Sequence, residues 1–339
     1  MKLFRDNFLD IIKILFKITL NIPKLFYFKL KLHFSAYKKP TTIVKNNKIY
    51  RDLYKNGKIE IYENIDFTPN QRANDLLNKM TIEEKVGQMF HPPVSINGGT
   101  ISEIMNLASG NGDTIESLIL NKNITHYNLY GSPNPIQLAK RLNQLQKIAE
   151  RSRLGIPLTI SSDPIHEVPR GGGVAAFSLK GFSKWPSQLG FAATRQPEII
   201  KEFAEIAREE YLSVGLRTAL HPMSDLATEP RWSRNFGTFG SNADLSSDFT
   251  IAYMDGFQGN KINSNSVLTM VKHFPGGGPQ EDGFDPHLYS GKNQVYPGNN
   301  FEYHLKPFKK AINNNLKVIM PYYGIPVNQT SENVAMAYN

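Results

Sequence analysis

The sequence contains no cysteine, which excludes a disulfide framework and leaves no redox indication of the compartment in which the protein works. Long hydrophobic runs are also absent. Within residues 1–34 the longest uncharged stretch, Ile18–Pro23, is far too short to span a bilayer. No small-residue cleavage site follows an apolar core, as a signal peptide would require. We therefore expect a cytoplasmic or membrane-surface location rather than secretion.

Positive charge is concentrated near the N-terminus. Residues 1–58 contain 14 Lys and Arg against 3 Asp and Glu, whereas the remaining residues contain 25 against 27. The net charge of +9 thus comes from the N-terminal segment, and the rest of the chain gives no sign of a nucleic-acid partner. Residues 1–34 fit a basic amphipathic helix on an anionic membrane surface, a helix packed on the protein, or a disordered leader. We assign residues 1–50 to this extension and 51–339 to one folded domain.

Six short apolar runs have the length of β-strands, and each ends in polar or turn residues. The runs are Val86–Phe90, Ile124–Tyr130, Leu158–Ile160, Leu216–Leu220, Val267–Val271 and Leu316–Met320. Helical segments lie between them. This alternation is typical of an α/β protein with a (β/α)8 TIM-type barrel, here with about six of the eight strands. A doubly wound open sheet is the alternative, although neither Gly171–Gly173 nor Gly276–Gly278 forms the glycine pattern that binds nucleotides.

Three helix starts can be read from the sequence. The clearest helix covers Glu198–Val214, with apolar residues at helical spacing, Pro197 near its start and Gly215 after its end. Thr68 followed by proline opens an earlier helix, and a capping box at Thr81 begins the next. We expect the two earlier helices to be structural.

Residues 271–287 end a predicted strand and enter a glycine-rich loop with two histidines and three acids. Lys272 and His273 leave the apolar run where a buried strand meets solvent, and Gly276–Gly278 would let the backbone approach a ligand closely. Lysine and histidine can donate several hydrogen bonds to neighbouring hydroxyls. The loop therefore predicts a sugar-binding site, with an ordinary strand end as the alternative.

Four motifs in this order resemble the N-terminal barrel domain of the family 3 glycoside hydrolases, the β-glucosidase family, from about residue 52 onward. They are Arg72–Met89, Ser161–His166, Glu229–Gly237 and Lys272–Phe274. The resemblance implies an O-glycosyl hydrolase that removes nonreducing terminal β-D-glucosyl residues, with retention, from a glucoside or small oligosaccharide. It also implies a sugar-binding set formed by Asp163, Arg234, Lys272 and His273.

Plainer roles for these residues stay open on the sequence alone. Arg231 and Glu229 could form a simple ion pair, and Arg234 could likewise pair with Asp225. Asp163 could be a turn residue, because aspartate is common in turns.

Retaining hydrolysis needs two carboxyl groups about 5 Å apart, a nucleophile and an acid/base. The resemblance implies an aspartate nucleophile after the seventh barrel strand, yet Asp285 is the last aspartate of the chain. We therefore expect the nucleophile to lie beyond Asn339, the chain to be a truncated family member, and the 339 residues alone to be inactive. A noncatalytic carbohydrate-binding remnant is one alternative.

A second catalytic interpretation rests on Asp285-Pro286-His287. This segment resembles the Asp-x-His dyad of the N-acetylglucosaminidase branch of the same family, in which the histidine acts as acid/base. Against it, Gly277 stands where that branch carries a histidine, and the spacing to the dyad is longer. Asp285 and His287 are thus candidate catalytic residues of a β-N-acetylglucosaminidase, while β-glucosidase is the favoured function.

A segment before the barrel partly fits a calcium loop. Its candidate ligands are Asp52, Asn56, Lys58, Glu60 and Glu63. Tyr54 stands where an oxygen ligand is expected, so any calcium would be weakly bound and structural, and we expect no other cofactor. The better supported alternative is a β-hairpin that turns at Asn56-Gly57, between strands Tyr50–Tyr54 and Lys58–Tyr62.

Overall fold

The computed structural model describes residues 37–95, 113–131, 133–167 and 179–336. The chain divides into two compact units, Met1–Ile160 and Ser161–Asn339. Within the described ranges, no helix has both the length and the apolar character needed to cross a membrane. The proposed membrane-surface segment, residues 1–34, and the cluster Gly171–Gly173 lie outside the described residues.

The first unit begins with a β-hairpin in which β1 (Thr41–Lys45) pairs antiparallel with β2 (Lys48–Asp52). Asn46 and Asn47 form its two-residue turn with φ angles of 50° and 59°, a left-handed conformation that asparagine tolerates better than most residues. The hairpin predicted at Asn56-Gly57 is therefore wrong. The strand ends earlier, because the Asp52 carboxylate accepts the backbone N–H groups of Asn56 and Gly57 and holds them in a loop.

Two helices follow, α1 (Pro69–Lys79) and α2 (Ile82–Gly87). Their starts at Thr68 and Thr81 are confirmed, since each threonine hydroxyl accepts the N–H group three residues later. Helix α2 overlaps the strand predicted at Val86–Phe90, which is wrong. The capping box fixes the helix, and the apolar run is not buried, with Val86 44% and Phe90 54% exposed. The strand, β3 (Pro93–Ser95), begins only after it.

The rest of the first unit alternates helices and strands. Helix α3 (Ile115–Leu120) precedes β4 (His126–Tyr130), α4 (Pro135–Ala149) follows, and β5 (Thr159–Ser162) begins in this unit. Strand β3 pairs parallel with β4. The side chains that α4 buries recur at helical spacing, as expected of a helix with one face on the core: Leu138, Leu142, Leu145 and Ala149.

The second unit continues the same alternation. Its helices are α5 (Gln188–Thr194), α6 (Pro197–Val214), α7 (Ala243–Gln258) and α8 (Phe301–Asn313). Its further strands are β6 (Thr218–Ala219), β7 (Leu268–Phe274), β8 (Asn293–Gln294), β9 (Val318–Pro321) and β10 (Ile325–Pro326). Parallel pairing runs from β5 through β6 and β7 to β9, and separately between β8 and β10.

Five of the six predicted strands are thereby confirmed, at β4, β5, β6, β7 and β9. Parallel strands that alternate with helices make this an α/β fold of the TIM-barrel type, as predicted. The predicted helix over Glu198–Val214 is confirmed as α6. It begins with Pro197 and ends at Gly215, whose φ of 89° is left-handed and therefore suits glycine.

Candidate active site

The candidate residues of the second unit follow the carboxyl ends of its parallel strands. Asp163 comes directly after β5, the segment His221–Asp225 follows β6, and Lys272 and His273 lie in the last part of β7. In barrels of parallel strands this end carries the functional side chains, because the strand-to-helix loops meet there. The fold therefore places distant parts of the sequence at one end of the strands.

Lys272 and Asp163 form an ion pair. The Lys272 Nζ atom lies 2.6 Å from Asp163 Oδ1, and the two side chains are 6% and 20% exposed. Little water reaches the pair, so this charge-assisted hydrogen bond is well shielded. The structure thus brings together two residues that the sequence proposed for one sugar.

Asp225 holds the other predicted side chain of β7, His273. His273 Nδ1 lies 3.0 Å from Asp225 Oδ2, and the backbone N–H groups of His273 and Gly277 donate to the same carboxylate. Asp225 is fully buried, and His273 is 3% exposed. Sequence reasoning considered Asp225 only as a partner for Arg234 and missed this role. The available signal was its place in a polar segment directly after a predicted strand.

Burial determines the charge state of this pair. Burial lowers the pKa of His273 to about 4, against the opposing effect of the Asp225 charge. Burial alone would raise the pKa of Asp225, but the contacts with His273 and Gly277 and the charge of Arg234 outweigh it and hold this pKa below its ordinary value. The imidazole is therefore neutral. Its Nδ1–H group donates to the carboxylate, which leaves Nε2 free to accept a hydroxyl proton.

Arg234 lies partly buried near these groups. Its Nη2 atom is 3.7 Å from Met223 Sδ, and its Nη1 atom is buried without a hydrogen-bond partner in the described part of the chain. Burial lowers the pKa of Arg234, but neighbouring groups, Asp225 and Asp285 among them, outweigh it and raise this pKa above its ordinary value. The simple ion pair of Arg231 is confirmed, because two of its nitrogens each lie 2.9 Å from a Glu229 oxygen.

Asp285 and His287 contact each other, as the dyad interpretation requires. The Asp285 carboxylate accepts from the His287 backbone N–H group at 3.0 Å and from the Trp232 indole at 2.9 Å, and it also contacts His287 Nδ1. The Tyr323 hydroxyl lies 2.5 Å from His287 Nε2. The imidazole is 61% exposed while the Asp285 side chain is 14% exposed. A sheltered carboxylate thus orients an exposed imidazole.

The glycine loop packs tightly against its own unit. A Cβ atom at Gly278 would lie 1.6 Å from the Leu226 carbonyl oxygen, and one at Gly277 would lie 2.4 Å from the Tyr322 ring. We expected these glycines to admit a ligand. In the structure Gly278 packs against the Leu226 backbone and Gly277 packs against the buried Tyr322 ring. These contacts fix the position of the loop that follows His273.

A cavity of about 440 Å³ lies beside this loop. Its lining includes Glu229, Gln280, Tyr296, Tyr303 and His304. None of the four predicted sugar-binding residues lines it. We therefore place the candidate site at the strand ends, where the charged and polar groups converge, and not in this cavity.

The predicted calcium-loop residues are engaged with one another. Asp52 accepts the N–H groups of Asn56 and Gly57, Asn56 accepts the Lys58 N–H group, and Glu63 accepts the N–H group of Glu60. Glu60 also lies 3.0 Å from Lys79 Nζ. Across residues 37–95, 113–131, 133–167 and 179–336, no cluster of three His, Cys, Asp or Glu side chains is placed to hold a metal ion. Calcium binding stays a prediction.

Comparison with known proteins agrees with the family resemblance and with the α/β fold. Residues 81–333 match the glycosyl hydrolase family 3 N-terminal domain. The chain belongs to this family. Beta-glucosidase C of Emericella nidulans is 46% identical over 290 residues, which cover 85% of this chain and 46% of that protein. The periplasmic beta-glucosidase/beta-xylosidase of Dickeya chrysanthemi is 40% identical over 289 residues, covering 84% of this chain and 43% of that protein.

The chain thus spans about half the length of these curated relatives. Among solved structures, a β-glucosidase from Erythrobacter marinus superposes with a TM-score of 0.61 at 22% identity, covering 78% of this chain and 33% of that one. That similarity confirms the barrel fold of the family 3 domain. One relative is periplasmic by name, so the expected cytoplasmic or membrane-surface location stays a prediction.

Proposed function

We propose that this family 3 domain binds the nonreducing sugar in an exo-acting β-glucosidase, which hydrolyses terminal β-D-glucosyl residues with retention. The observation that carries the proposal is the meeting of the Asp163–Lys272 ion pair with the Asp225–His273 pair at the ends of neighbouring strands. The substrate class is a glucoside or a small oligosaccharide. The family membership and the names of its relatives at 40% and 46% identity support this choice.

The side chains supply complementary hydrogen-bonding groups. The Asp163 carboxylate accepts from sugar hydroxyls, and Lys272 and Arg234 donate to sugar oxygens. His273, held neutral, accepts a hydroxyl proton through Nε2. Because Asp163 and Lys272 neutralise each other, an uncharged polyhydroxyl ligand suits the site better than an acidic one.

The N-acetylglucosaminidase alternative is favoured by one observation, the contact between Asp285 and His287. Gly277 weighs against it. The N-acetylglucosaminidase branch carries a histidine at this position, whereas here the Tyr322 ring leaves no room for a Cβ atom. The glucosidase is therefore the function that we propose.

Ligand binding tests the proposal directly. Methyl 1-thio-β-D-glucoside, which resists hydrolysis, should bind saturably, and methyl 1-thio-N-acetyl-β-D-glucosaminide should bind more weakly. Asp163→Ala should weaken binding of the glucoside at least about tenfold, since it leaves the Lys272 ammonium group buried and unpaired. Asp244→Ala is the control, because this aspartate is 79% exposed and pairs with Lys306 at the surface. Failure of the chain to bind the thioglucoside would contradict the proposal.

A further inference from the structure

A chain of buried hydrogen bonds runs through the second unit and ends at the backbone of Asp163. We propose that Tyr253, His221 and Tyr211 are positioning residues that hold Asp163 in the orientation in which its carboxylate meets Lys272 and the sugar. This inference rests on the proposed function, because it assigns these residues to the same sugar-binding site.

The contacts are continuous. The Tyr253 hydroxyl contacts His221 Nδ1, and His221 Nε2 lies 2.9 Å from the Tyr211 hydroxyl. The Tyr211 hydroxyl lies 3.3 Å from the Asp163 carbonyl oxygen and accepts from Ser162 Oγ at 2.8 Å. Helices α7 and α6 provide the two tyrosines, and the histidine follows β6. Three separate elements therefore converge on one peptide group.

Only one arrangement of protons satisfies every member of this chain. A carbonyl oxygen can only accept, so Tyr211 donates its hydroxyl proton to Asp163. His221 Nε2 must then carry a proton and donate it to Tyr211. His221 Nδ1 is consequently unprotonated and accepts the proton of Tyr253. The chain is thus directional from Tyr253 to Asp163, and it fixes the tautomer of the histidine between them.

Burial explains why this chain constrains Asp163. Tyr211 is 0%, His221 1% and Tyr253 2% exposed, so water cannot substitute for a missing partner. Two buried hydroxyls and an imidazole are costly unless they are paired. Packing alone could be provided by phenylalanine, since the His221 ring meets both tyrosine rings edge to face and all three rings also contact Phe257. Burial also lowers the pKa of His221 well below its ordinary value, which keeps the ring neutral as the directional chain requires.

Two measurements on the whole polypeptide test the inference. Nitrogen-15 NMR should show His221 protonated at Nε2 and unprotonated at Nδ1, and Tyr253→Phe should shift the Nδ1 signal. Tyr211→Phe should weaken binding of methyl 1-thio-β-D-glucoside by roughly tenfold, the effect of about one lost buried hydrogen bond. In an Asp163→Asn background, the same substitution should change the affinity by less than about twofold, because coupled residues are non-additive.

Tyr127→Phe is the matched control. The Tyr127 hydroxyl is also buried and donates to a backbone carbonyl, that of Ile124 at 3.0 Å, but in the first unit. It should lower the unfolding midpoint as Tyr211→Phe does and leave sugar affinity unchanged. Should Tyr211→Phe not fold, Tyr253→Phe takes its place, with an expected loss of about threefold.

The outcomes are distinct. Parental affinity in a folded Tyr211→Phe or Tyr253→Phe variant would overturn the positioning role, and so would a His221 ring protonated at Nδ1. If the protein binds no thioglucoside, the proposed function is overturned. In that case the NMR measurement alone still decides whether the directional hydrogen bonds from Tyr253 to Asp163 exist.

Discussion

The Nδ1 atom of His273 lies 3.0 Å from Oδ2 of Asp225, and both side chains are buried. The same carboxylate accepts the backbone N–H groups of His273 and Gly277. One buried charge therefore fixes a side chain that we propose to bind sugar, together with the loop that follows it. Because the carboxylate follows β6 and the imidazole lies in β7, the pair also ties the ends of two neighbouring strands together.

Replacing the Asp225 carboxylate should cost much stability. Asp225→Asn retains one oxygen but turns an amide donor toward groups that already donate, so we expect a loss of about 3 kcal/mol in the free energy of unfolding. Urea unfolding measures it. Asp244→Asn, at an exposed ion pair with Lys306, should cost less than about 0.5 kcal/mol. Similar unfolding midpoints for the two variants would contradict the role given to Asp225.

Buried neutral histidines predict a loss of stability in mild acid. Burial lowers the pKa of both His273 and His304 from 6.5 to about 4, so the unfolded chain takes up these protons first as the pH falls. Their contribution is complete above pH 6.5 and is lost as the pH falls toward 4, by up to ~3 kcal/mol for each residue. Urea midpoints should decline across this range, and His304→Gln should reduce the decline. A flat profile would show that these imidazoles are not buried as described.

Gly278 should not tolerate even the smallest side chain. A Cβ atom there would overlap the Leu226 carbonyl oxygen at 1.6 Å, and since the atoms that it meets belong to the Leu226 backbone, the loop would have to move. We expect Gly278→Ala to lose more than about 3 kcal/mol and the thioglucoside affinity as well. Gly57→Ala is the comparison. Gly57 has a φ of 75° but open space around it, so the loss should be about 1 kcal/mol.

The sequence predicted most of the barrel because its strands are short apolar runs bounded by turn residues. The strand predicted at Val86–Phe90 was wrong, because apolar composition alone cannot distinguish a strand from a short helix. A capping box at Thr81 starts a helix that includes the beginning of this run. The turn of the N-terminal hairpin was also predicted at the wrong place, because two segments of the sequence suit a turn. Asn46-Asn47 and Asn56-Gly57 are both reasonable turns, and the hydrogen bonds of Asp52, which sequence does not show, select the first.

The site was predictable only in part. Lys272 and Asp163 lie 109 residues apart. The family resemblance placed both in one sugar-binding set, but neither it nor any local pattern predicted their ion pair. The role of Asp225 as the partner of His273 was missed because Asp225 lies in an irregular segment and its partner is 48 residues away. The contacts of the glycine loop with the buried residues Leu226 and Tyr322 could not be predicted from the sequence either. Contacts of this kind depend on how strands are juxtaposed, which a single sequence does not specify.

Arg234→Lys should separate binding from stability. Lysine keeps the charge but replaces a planar fork of donors with a single ammonium group, so the affinity for methyl 1-thio-β-D-glucoside should fall about tenfold or more. Arg231→Lys is a matched control in the same motif, because Arg231 is 62% exposed and pairs with Glu229. Titration calorimetry of both variants measures the difference. Equal affinities would remove Arg234 from the sugar-binding set.

His287→Ala decides between the two catalytic interpretations in the active enzyme. If a carboxyl group elsewhere is the acid/base, the substitution removes an exposed imidazole and should alter kcat by less than about threefold on aryl β-glucosides and on disaccharides alike. If the Asp285–His287 pair protonates the leaving group, turnover of disaccharides should fall by about 100-fold or more, while activated aryl glycosides, which need no protonation to depart, should be spared. Tyr289→Ala serves as the control, because Tyr289 lies two residues away and is 87% exposed. We expect the small, uniform effect. A selective loss on disaccharides would instead assign the acid/base to His287 and favour the N-acetylglucosaminidase.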